Sequence, residues 1–344
     1  MRIVLIGTGV EPIPPTGYGG VERTIAEYAT ALRAAGQEPV VVQQVRQGRS
    51  SDEYRFALQL PRLLEGLDAE VLHASTPVVA NRLSWSGRPY VYTSHSRHWF
   101  TVAGISQRWG FLLERRAVAW SAATVALTDE LSARMSSRLG RQLPARHPVI
   151  PIGVDAERFR PEWGARTGRR ALGVGIVAPL KRWELAARAL RGTGWELRIV
   201  GPVTDPAYAR QVREAGDRVE LMGEVTEEAL QRAYAESDLL IHPSAAEILS
   251  GTVLQALAAG LPVLGAAPIG SLIAQGATGW TSPAGASEEQ TVELLRSRSG
   301  ELGSDAGLRR RMGEAARAQA LDRFAWRSVV ERHLALYREV RAAE

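Results

Sequence analysis

The sequence predicts an α/β protein made of two doubly wound domains, each a parallel sheet with helices on both faces. Three observations carry this prediction: a length of 344 residues, an apolar fraction of 45%, and strand-like segments that alternate with helix-like segments in two successive series. This length fits two domains of ordinary size better than one. We expect a first domain at 1–157, a second at 158–324, and a helix at 325–344 that completes the first domain.

The first series starts from a buried strand at the N-terminus and returns to a strand four times. Apolar residues from Val21 to Leu32 fall at helical spacing, and Gly36 is a typical helix stop. A further helix is expected at about 106–121. The strands are expected at 2–7, 40–42, 71–74, 90–93 and 124–127.

The second series follows a polar, glycine-containing stretch that ends at Arg170 and marks the domain boundary. The last amphipathic segment, 327–340, has no strand after it to cover, so we expect it to cross back to the first domain. Ligands of open α/β sheets bind beyond the carboxyl ends of the strands, and two such domains therefore predict a cleft between them. The strands of this series are expected at 171–177, 196–200, 219–222, 239–242 and 262–265, and its helices at 183–190, 208–215, 227–236 and 252–259.

The composition excludes several classes of protein. The chain has no cysteine, which excludes disulfides and thiolate metal sites. The apolar run at the N-terminus is too short for a signal peptide, and no run approaches the roughly 20 residues of a membrane span. We therefore expect a soluble, cytoplasmic protein. The net charge is +5, but the basic residues are spread along the chain without a long block, so nucleic acid is not expected as a partner.

One basic residue differs from all the others. Lys181 is the only lysine, against 41 arginines. It follows the carboxyl end of a predicted strand, where a phosphate would sit in an α/β sheet. A compact ammonium on a flexible stem follows a phosphate more freely than a planar guanidinium does. Lys181 is therefore a candidate phosphate-binding residue.

Two glycine pairs occur near the N-terminus. Gly7 and Gly9 follow the first strand, as in a dinucleotide-binding turn, but the third glycine of that fingerprint and the acidic residue after the second strand are missing. We therefore expect no nicotinamide or flavin cofactor. Gly19 and Gly20 precede the first helix, and a glycine loop there lets backbone amides approach an anion. A plain surface loop is the alternative for this second pair.

The strongest signal lies in the loop and helix that follow the fourth strand of the second series. The loop carries one carboxylate, Glu247. Ser250, Gly251 and Thr252 then predict a capped helix N-terminus whose N–H groups are free to bind a diphosphate. Gln255 lies one turn inside that helix, within reach of the same ligand. The alternative for Glu247, a structural capping role, leaves the rest of the constellation unexplained.

In their order and spacing these motifs resemble glycosyltransferase family 4, the retaining enzymes of the GT-B fold, over nearly the whole chain. That fold consists of two Rossmann-like domains that face a central cleft, and the resemblance implies the same architecture here. The resembling segments are Gly19-Gly20-Val21-Glu22, Ser94-His95, Gly153-Val154-Asp155 with Phe159 and Pro161, Gly175 with Lys181, Gly223-Glu224-Val225, Pro243-Ser244 with Glu247, 256–263, and Phe324 with Trp326.

The resemblance also implies roles for individual residues. His95 would hydrogen-bond the donor sugar near the reacting carbon, Lys181 would neutralise the diphosphate, and Glu247 would bind hydroxyls of the transferred sugar. Gly20 would close over the phosphates from the first domain. The nucleotide base would be held by the backbone of Gly223, Glu224 and Val225, and the phosphate or sugar by the amides of Leu249, Ser250, Gly251, Thr252 and Val253.

The implied reaction is transfer from a nucleoside-diphosphate sugar, with UDP or GDP as the nucleotide, and with retention of configuration. The donor phosphate leaves and takes the acceptor's proton, while Lys181 and helix amides stabilise the developing charge. No metal and no cofactor besides the nucleotide sugar are expected, since the sequence has no Asp-any-Asp motif and its other histidines lack metal-ligand spacing. Those histidines, His73, His98, His147, His242 and His333, are expected to be structural or exposed.

Three positions depart from the family pattern. Ile176 stands where the family usually has an arginine, Gln255 where it has a second glutamate, and Ser250 where it has a glycine. A lost charge-assisted contact is worth roughly 1.5–3 kcal/mol, and Arg182 is expected to replace part of it. Gln255 is still expected to accept a hydrogen bond from a ribose hydroxyl. Nucleotide binding therefore remains predicted, while the donor is left open.

The acceptor is predicted from aromatic residues near His95 in sequence. Aromatic faces suit sugar rings or a polyketide-like molecule, which favours a small natural-product acceptor in an antibiotic pathway; core packing is the alternative. Two other functions stay open: a glycolipid-forming transferase that contacts a membrane through 105–120, with Arg115 and Arg116, and a sugar-nucleotide-binding subunit without catalysis. The aromatic residues are Trp85, Trp99, Phe100, Trp109 and Phe111, and Arg97, His98 and Arg108 lie among them.

Overall fold

The computed structural model describes residues 1–15, 19–43, 50–95 and 105–342. Its contacts divide the chain into two compact units, one formed by Met1–Gly153 with Trp326–Glu344 and the other by Val154–Ala325. In each unit the described strands form one sheet in which every pair is parallel. The predicted fold class, a doubly wound α/β architecture that occurs twice, is confirmed.

The sheet of the first unit has the strand order β2-β1-β3-β4-β5. Its apolar strands are almost entirely buried, as expected for a parallel sheet that is covered by helices. Because β1 pairs with both β2 and β3, the direction in which strands are added reverses between β1 and β3. The strands are β1 (Arg2–Ile6), β2 (Glu38–Val42), β3 (Val71–Ala74), β4 (Tyr90–Ser94) and β5 (Ala123–Ala126).

The helices between these strands begin and end at the expected local signals. The hydroxyls of Thr76 and Thr128 accept N–H groups at the starts of the third and fifth helices and so cap them. The first helix ends just before Gly36, which has a left-handed φ of +72°. The helices are α1 (Gly20–Ala34), α2 (Ser50–Leu63), α3 (Pro77–Leu83), α4 (Ile105–Ala119) and α5 (Asp129–Leu139).

The sheet of the second unit has the order β11-β10-β9-β6-β7-β8. Its strands are added in one direction from β6 to β8 and in the other from β9 to β11, so the switch point lies between β6 and β9. The strands are β6 (Arg170–Val174), β7 (Glu196–Val200), β8 (Val219–Gly223), β9 (Leu239–His242), β10 (Val263–Gly265) and β11 (Gly279–Thr281). The helices are α6 (Trp183–Leu190), α7 (Pro206–Ala215), α8 (Glu227–Glu236), α9 (Gly251–Ala258), α10 (Glu288–Ser304) and α11 (Ala306–Gln319).

The last helix, α12 (Trp326–Arg341), packs on the first unit. Its apolar face buries Val329, Leu336 and Tyr337 in the same core as Ile3 and Ile25. Burial of apolar side chains on one face is the usual source of stability for such a helix. None of the described helices is long and apolar enough to cross a membrane.

The structure differs from the prediction mainly in the number of elements and at the boundary between units. The chain enters the second unit at Val154 rather than Arg158, because the N–H of Val154 already donates to the Phe324 carbonyl at 2.8 Å. The elements α6, β7, α8 and β9 have the predicted bounds, whereas α2, α3, α5, α10, α11 and β11 were not predicted.

Candidate functional site

Two loops meet at the switch point of the second sheet and are tied together by hydrogen bonds. One follows β6 and contains a single helical turn, Pro179–Lys181, and the other runs from β9 to α9. The N–H of Ala245 donates to the Leu180 carbonyl at 2.9 Å. The Nε of Arg182 donates to the Pro243 carbonyl at 2.8 Å. These bonds hold the loop that carries the lone lysine against the loop that carries the predicted carboxylate.

The lysine and the carboxylate form a buried ion pair across the two loops. The Nζ of Lys181 lies 2.5 Å from Oε1 of Glu247, and the two side chains are only 11% and 14% exposed. Burial acts to raise the pKa of Glu247, but hydrogen bonding to His242 and the positive charge of Lys181 outweigh it and lower the pKa to about 2. The carboxylate is therefore ionised at neutral pH, and the pair carries no net charge.

His242 also contacts this carboxylate, which the sequence did not predict. It is the last residue of β9 and is 1% exposed, and its Nε2 lies 3.0 Å from the same Oε1 of Glu247. Burial lowers the pKa of His242, and the hydrogen bond to Glu247 only partly opposes this shift, so the imidazole is neutral at pH 7. Its burial agrees with the expectation of a structural histidine, and the contact with Glu247 is an addition to that expectation. Its position at a carboxyl strand end, five residues before Glu247, was the available signal.

The N-terminus of α9 follows directly after this loop. The N–H groups of Leu249, Ser250, Gly251 and Thr252 have no acceptor within the described residues, whereas the N–H of Val253 donates to the Ser250 carbonyl at 3.1 Å. Four of the five predicted amides are therefore available to a ligand, and the prediction for Val253 is corrected. The side chain of Ser250, at the cap position, makes no capping bond, so the predicted cap is absent too.

The opposite end of α9 is capped by two arginines. The Nη1 and Nη2 atoms of Arg166 donate to the carbonyls of Gly260 and Ala259 at 2.9 and 2.6 Å. Arg317 donates to the Ala258 carbonyl at 2.9 Å. Positive charge at the carboxyl end complements the helix dipole. The carbonyls at the carboxyl end of α9 thus have hydrogen-bond donors, while the N–H groups at its N-terminus are, within the described structure, free to bind an anion.

The segment after β8 lies farther along the same sheet edge. Gly223 has a left-handed φ of +70°, and its carbonyl accepts the N–H of Gly201 at 2.9 Å. Glu224 is exposed and Val225 is half-buried. Since β8 is two strands from β6 and neighbouring strands lie about 4.8 Å apart, this segment is roughly 10 Å from the loop of Lys181.

Gln255 already has one partner in the protein. Its Oε1 accepts the hydroxyl of the buried Tyr234 at 2.9 Å. An amide oxygen has two lone pairs, so the expectation that Gln255 accepts a hydrogen bond from a ribose hydroxyl stays a prediction. The amide Nε2 has no partner within the described residues, so Gln255 can also donate to a ligand.

Ile176 and Arg182, which lie near Lys181 in sequence, both have hydrogen-bond partners within the protein. The carbonyl of Ile176, one of the three positions that depart from the resembled pattern, accepts the indole N–H of Trp183 at 2.9 Å. Arg182 already uses its Nε for the Pro243 carbonyl, so only its Nη groups are free of a partner in the described structure. Arg182 can therefore supply part of the missing positive charge but not a fully mobile guanidinium.

The predicted residues of the first unit lie at the carboxyl ends of its strands. A Cβ on Gly19 would lie 2.9 Å from Pro15, whereas a Cβ on Gly20 would meet open space. Nearby, the hydroxyl of Thr8 donates to the buried carboxylate of Glu22. Gly19 is therefore required by packing, while Gly20 leaves the start of α1 uncovered.

His95 lines a small cavity of about 40 Å³ in this unit. Its imidazole makes no hydrogen bond within the described residues, and burial lowers its pKa to about 4, so it is neutral at pH 7. A neutral imidazole without a protein partner can both donate to and accept from a ligand. The cavity is also lined by Tyr28, His73, Thr93, Trp326 and His333.

Several predicted residues do not contribute to the described sites. Arg97, His98, Trp99 and Phe100 lie outside the described residues. Among the residues that are described, no group of three imidazole or carboxylate side chains is placed to hold a metal ion. The structure therefore brings together Lys181, Glu247 and the start of α9 in the second unit, and places His95 and Gly20 in the first.

Two family models match the chain, one in each unit. Residues 18–158 match the model described as Glycosyltransferase Family 4. Residues 175–297 match the model described as Glycosyl transferases group 1.

Similar proteins agree with these matches. A GDP-mannose-dependent alpha-mannosyltransferase of Mycobacterium tuberculosis is 28% identical over 305 residues, which cover 81% of this chain and 75% of the relative. A 2-deoxystreptamine N-acetyl-D-glucosaminyltransferase of Streptomyces fradiae is 28% identical over 277 residues, 73% of this chain and 65% of that protein. The solved structure of a glycosyltransferase involved in Avilamycin A biosynthesis has a TM-score of 0.72 at 19% identity and covers 100% of this chain and 98% of its own.

Proposed function

We propose that this chain, a glycosyltransferase of the GT-B fold and family 4, binds a nucleoside-diphosphate sugar at the switch point of its second domain and transfers the sugar with retention of configuration. One observation carries the proposal. The buried pair of Lys181 and Glu247 joins the loops after β6 and β9, next to the free N–H groups that open α9. An ammonium beside free helix amides is a site for a diphosphate.

The roles of these groups follow from their chemistry. Lys181 and the amides of Gly251 and Thr252 would stabilise the negative charge that develops on the leaving diphosphate. Glu247 would accept hydrogen bonds from hydroxyls of the transferred sugar. The backbone of 223–225, roughly 10 Å along the sheet edge, would hold the nucleotide base. The reaction then needs no metal, because charge stabilisation comes from the ammonium and the helix amides.

His95 and Gly20 are the candidate ligand-binding groups of the first domain. His95 is neutral and without a protein partner in the described structure, so it can bind a sugar hydroxyl. Gly20, with open space around it, would let the backbone amides at the start of α1 approach an anion.

The donor nucleotide is proposed to be GDP or UDP. The mycobacterial relative is named as GDP-mannose-dependent, which favours GDP-mannose as the first donor to test. The replacement of the family's usual glutamate by Gln255, whose oxygen already accepts one hydrogen bond from Tyr234, distinguishes this site from the usual one. A panel that includes both nucleotides is therefore required.

A thermal-shift panel tests the donor site directly. Ligand at 100 times its Kd stabilises a protein by about 2.7 kcal/mol. We expect GDP or UDP to raise the melting temperature of the wild type. Lys181→Met should abolish most of that shift, while Arg188→Met, which removes a half-exposed cation from α6, should keep it. No response to any nucleoside diphosphate, or equal responses from the two variants, would remove the basis of the assignment.

Catalysis and stereochemistry need a separate measurement. Incubation with the responding nucleotide sugar should release free sugar slowly even without an acceptor, and proton NMR should show the anomer of the donor first. Release of the opposite anomer would contradict the retaining mechanism. No hydrolysis despite tight binding would favour a non-catalytic binding subunit instead.

The acceptor is proposed to be a hydroxyl of a small natural product. The support is the Streptomyces relative, whose name gives 2-deoxystreptamine as its acceptor, and the aromatic side chains of the first domain. Of these, Trp85 and Trp109 are 70% and 64% exposed. They are therefore not explained by core packing. Product formation with 2-deoxystreptamine or related polyols, followed by mass spectrometry, would test this acceptor class.

A second candidate function, transfer at a membrane surface, is supported by exposed apolar residues on and next to α4. Trp109 and Leu112 on α4, and Trp120 directly after it, are 51–64% exposed. The guanidinium of Arg116 lies 5.0 and 5.4 Å from the rings of Trp85 and Trp120. The segment 77–120 contains six arginines and a single acidic residue, which is the buried Glu114. Exposed tryptophan beside arginine suits an anionic bilayer.

Liposome co-sedimentation separates this candidate from the first. Binding to phosphatidylglycerol vesicles that is lost in Trp109→Ser/Trp120→Ser, with nucleotide binding retained, would support a membrane-bound acceptor. An absence of binding at low salt would leave the small-molecule acceptor as the proposal. Tyr54→Ser, which alters another exposed aromatic on α2, serves as the control.

A further inference from the structure

One carboxylate oxygen of Glu247 accepts hydrogen bonds from two different side chains. Oε1 accepts from Lys181 at 2.5 Å and lies 3.0 Å from Nε2 of His242. Oε2 has no hydrogen-bond partner within the described residues, yet it is not among the buried atoms left unpaired. Glu247 is therefore held by one oxygen while the other is left to a ligand.

The imidazole of His242 is fixed by packing. The ring is 1% exposed and stands edge-on to Trp183, with ring centroids 6.2 Å apart. Trp183 is itself fully buried, and its indole N–H bonds to the Ile176 carbonyl. The ring of His242 therefore has little freedom to turn away from Glu247.

The protonation state follows from the partners of the two ring nitrogens. Nδ1 is buried and has no hydrogen-bond partner in the described structure. A proton on Nδ1 would have no acceptor, whereas a proton on Nε2 points at a carboxylate. His242 is thus the neutral tautomer that donates from Nε2, and it adds no charge to the pair of Lys181 and Glu247.

The two donors differ in mobility. Lys181 lies on a flexible four-carbon stem and is the group proposed to move to the diphosphate, whereas His242 has a rigid ring in the core. We infer that His242 is a positioning residue that holds Oε1 of Glu247 when Lys181 turns to the donor diphosphate. This inference rests on the proposed nucleotide-sugar site. It assigns to His242 the orientation of the free Oε2 toward the sugar hydroxyls.

The inference predicts a selective loss in binding. His242→Leu keeps the volume but removes the donor, so Glu247 should bind the sugar less well while Lys181 and α9 still bind the diphosphate. By isothermal titration calorimetry, we expect the nucleoside-diphosphate Kd to change less than about twofold and the nucleotide-sugar Kd to rise about tenfold. His242→Gln, which places an amide N–H near the position of Nε2, should restore most of the sugar affinity. His147→Leu, on an unrelated local turn, is the matched control.

The outcomes separate the inference from the proposed function. A wild type that binds no nucleoside diphosphate overturns the proposed function and this inference with it. A wild type that binds, with His242→Leu weakening the nucleotide and the nucleotide sugar equally, overturns only the positioning role. Failure of His242→Gln to restore binding that His242→Leu has lost also overturns it.

A ligand-free measurement checks the geometry by itself. In protein labelled with ¹⁵N-histidine, a long-range proton–nitrogen spectrum of the wild type should show His242 as the Nε2–H tautomer. His242→Gln assigns the signal by its disappearance. An Nδ1–H tautomer in the wild type would overturn the proposed contact whatever the ligand results are.

Discussion

At the residue scale, the candidate site depends on which atoms are already satisfied within the protein. Glu247 has one oxygen bound by two donors and one left over, and four amides around the start of α9 have no acceptor in the described structure. Free polar atoms that are partly shielded from water are the ones that bind ligands with specificity. The distinction between satisfied and free atoms therefore locates the site more sharply than residue types do.

Gln255 gives the first testable case. Its oxygen accepts the Tyr234 hydroxyl, which leaves the second lone pair of that oxygen and the amide N–H₂ for the nucleotide. In Gln255→Glu, one carboxylate oxygen can keep the Tyr234 bond while the second accepts from a ribose hydroxyl. We expect several-fold tighter binding of the nucleoside diphosphate, measured by calorimetry, because a hydrogen bond to a charged acceptor is stronger than one to an amide.

A variant of the partner controls this prediction. Tyr234→Phe frees the Gln255 oxygen without adding charge, and it should improve nucleotide binding less than Gln255→Glu does. Weaker binding in Gln255→Glu than in the wild type would show that the amide N–H₂ is the group that the nucleotide needs.

Sequence reasoning at this scale found Lys181 and Glu247 but not the partners that fix them. A single lysine at a strand end and a carboxylate before a helix are visible in one dimension. The contact of His242 was missed because it depends on the ring reaching across a loop. The partner of Gln255 was missed because Tyr234 approaches it from a different helix. Such contacts are set by packing between elements, which the sequence pattern does not encode.

At the element scale, the buried strands could be predicted from the sequence, whereas several short or polar helices could not. The strands are continuous apolar runs, and ten of the eleven described strands were predicted, with only β11 missed. Helix α3 has seven residues, and α2 contains Pro61 in its last turn, so neither shows a clear helical period. Helix α10 had a usable signal, the capping box of Ser287 and Gln290, that was overlooked.

The asymmetric ends of α9 support a prediction about stability. Arg166 bonds two carbonyls at the carboxyl end of α9 and stacks 4.2 Å from the ring of Trp163. Arg166→Ala removes both the capping bonds and the cation–π contact, so we expect the second domain to lose about 3 kcal/mol of unfolding free energy. Urea denaturation measures the loss, and hydrogen exchange should show faster exchange in the α9 peptide.

An exposed arginine provides the matched control for this change. Arg311 is 69% exposed and lies 4.0 Å from Asp305, so Arg311→Ala should cost less than about 0.5 kcal/mol. Equal losses in the two variants would mean that the cap on α9 contributes nothing specific. Nucleotide binding by the folded fraction of Arg166→Ala should persist, because the free amides lie at the other end of the helix.

At the scale of the whole molecule, the sequence predicted an architecture that occurs twice. Some of the motif residues lie where the chain leaves one unit and enters the other. A Cβ on Gly153 would lie 2.2 Å from Trp326, and Val154 bonds to Phe324. These motif residues therefore have a packing role where the chain enters and leaves the second unit. Their spacing in sequence, about 170 residues apart, could not reveal that contact.

The attachment of α12 to the first domain is testable through one hydroxyl. Tyr337 on α12 is fully buried, and its hydroxyl contacts the Tyr28 hydroxyl at 2.9 Å and Nδ1 of His73 at 2.6 Å. Tyr337→Phe leaves two buried polar groups with one partner fewer, so we expect a loss of about 2 kcal/mol in the first domain. Hydrogen exchange should accelerate in β1, β3 and α12. Unchanged protection there, or the same loss in Tyr54→Phe, would contradict the prediction.

The buried histidines of the first domain make its stability depend on pH. Burial lowers the pKa of His73, His95 and His333, to about 4 for the last two, against a usual value of 6.5. Between those values the unfolded chain binds more protons than the folded one, so stability is full above pH 6.5 and falls as the pH drops toward 4. From pH 7 to pH 5, His95 and His333 should each cost about 2 kcal/mol of unfolding free energy. Urea denaturation at both pH values should show His333→Leu losing less unfolding free energy than the wild type, by about that amount. A pH dependence that is identical in His333→Leu and the wild type would mean that His333 is already charged in the folded protein, and its burial beside the neutral His73 would then need a different physical account.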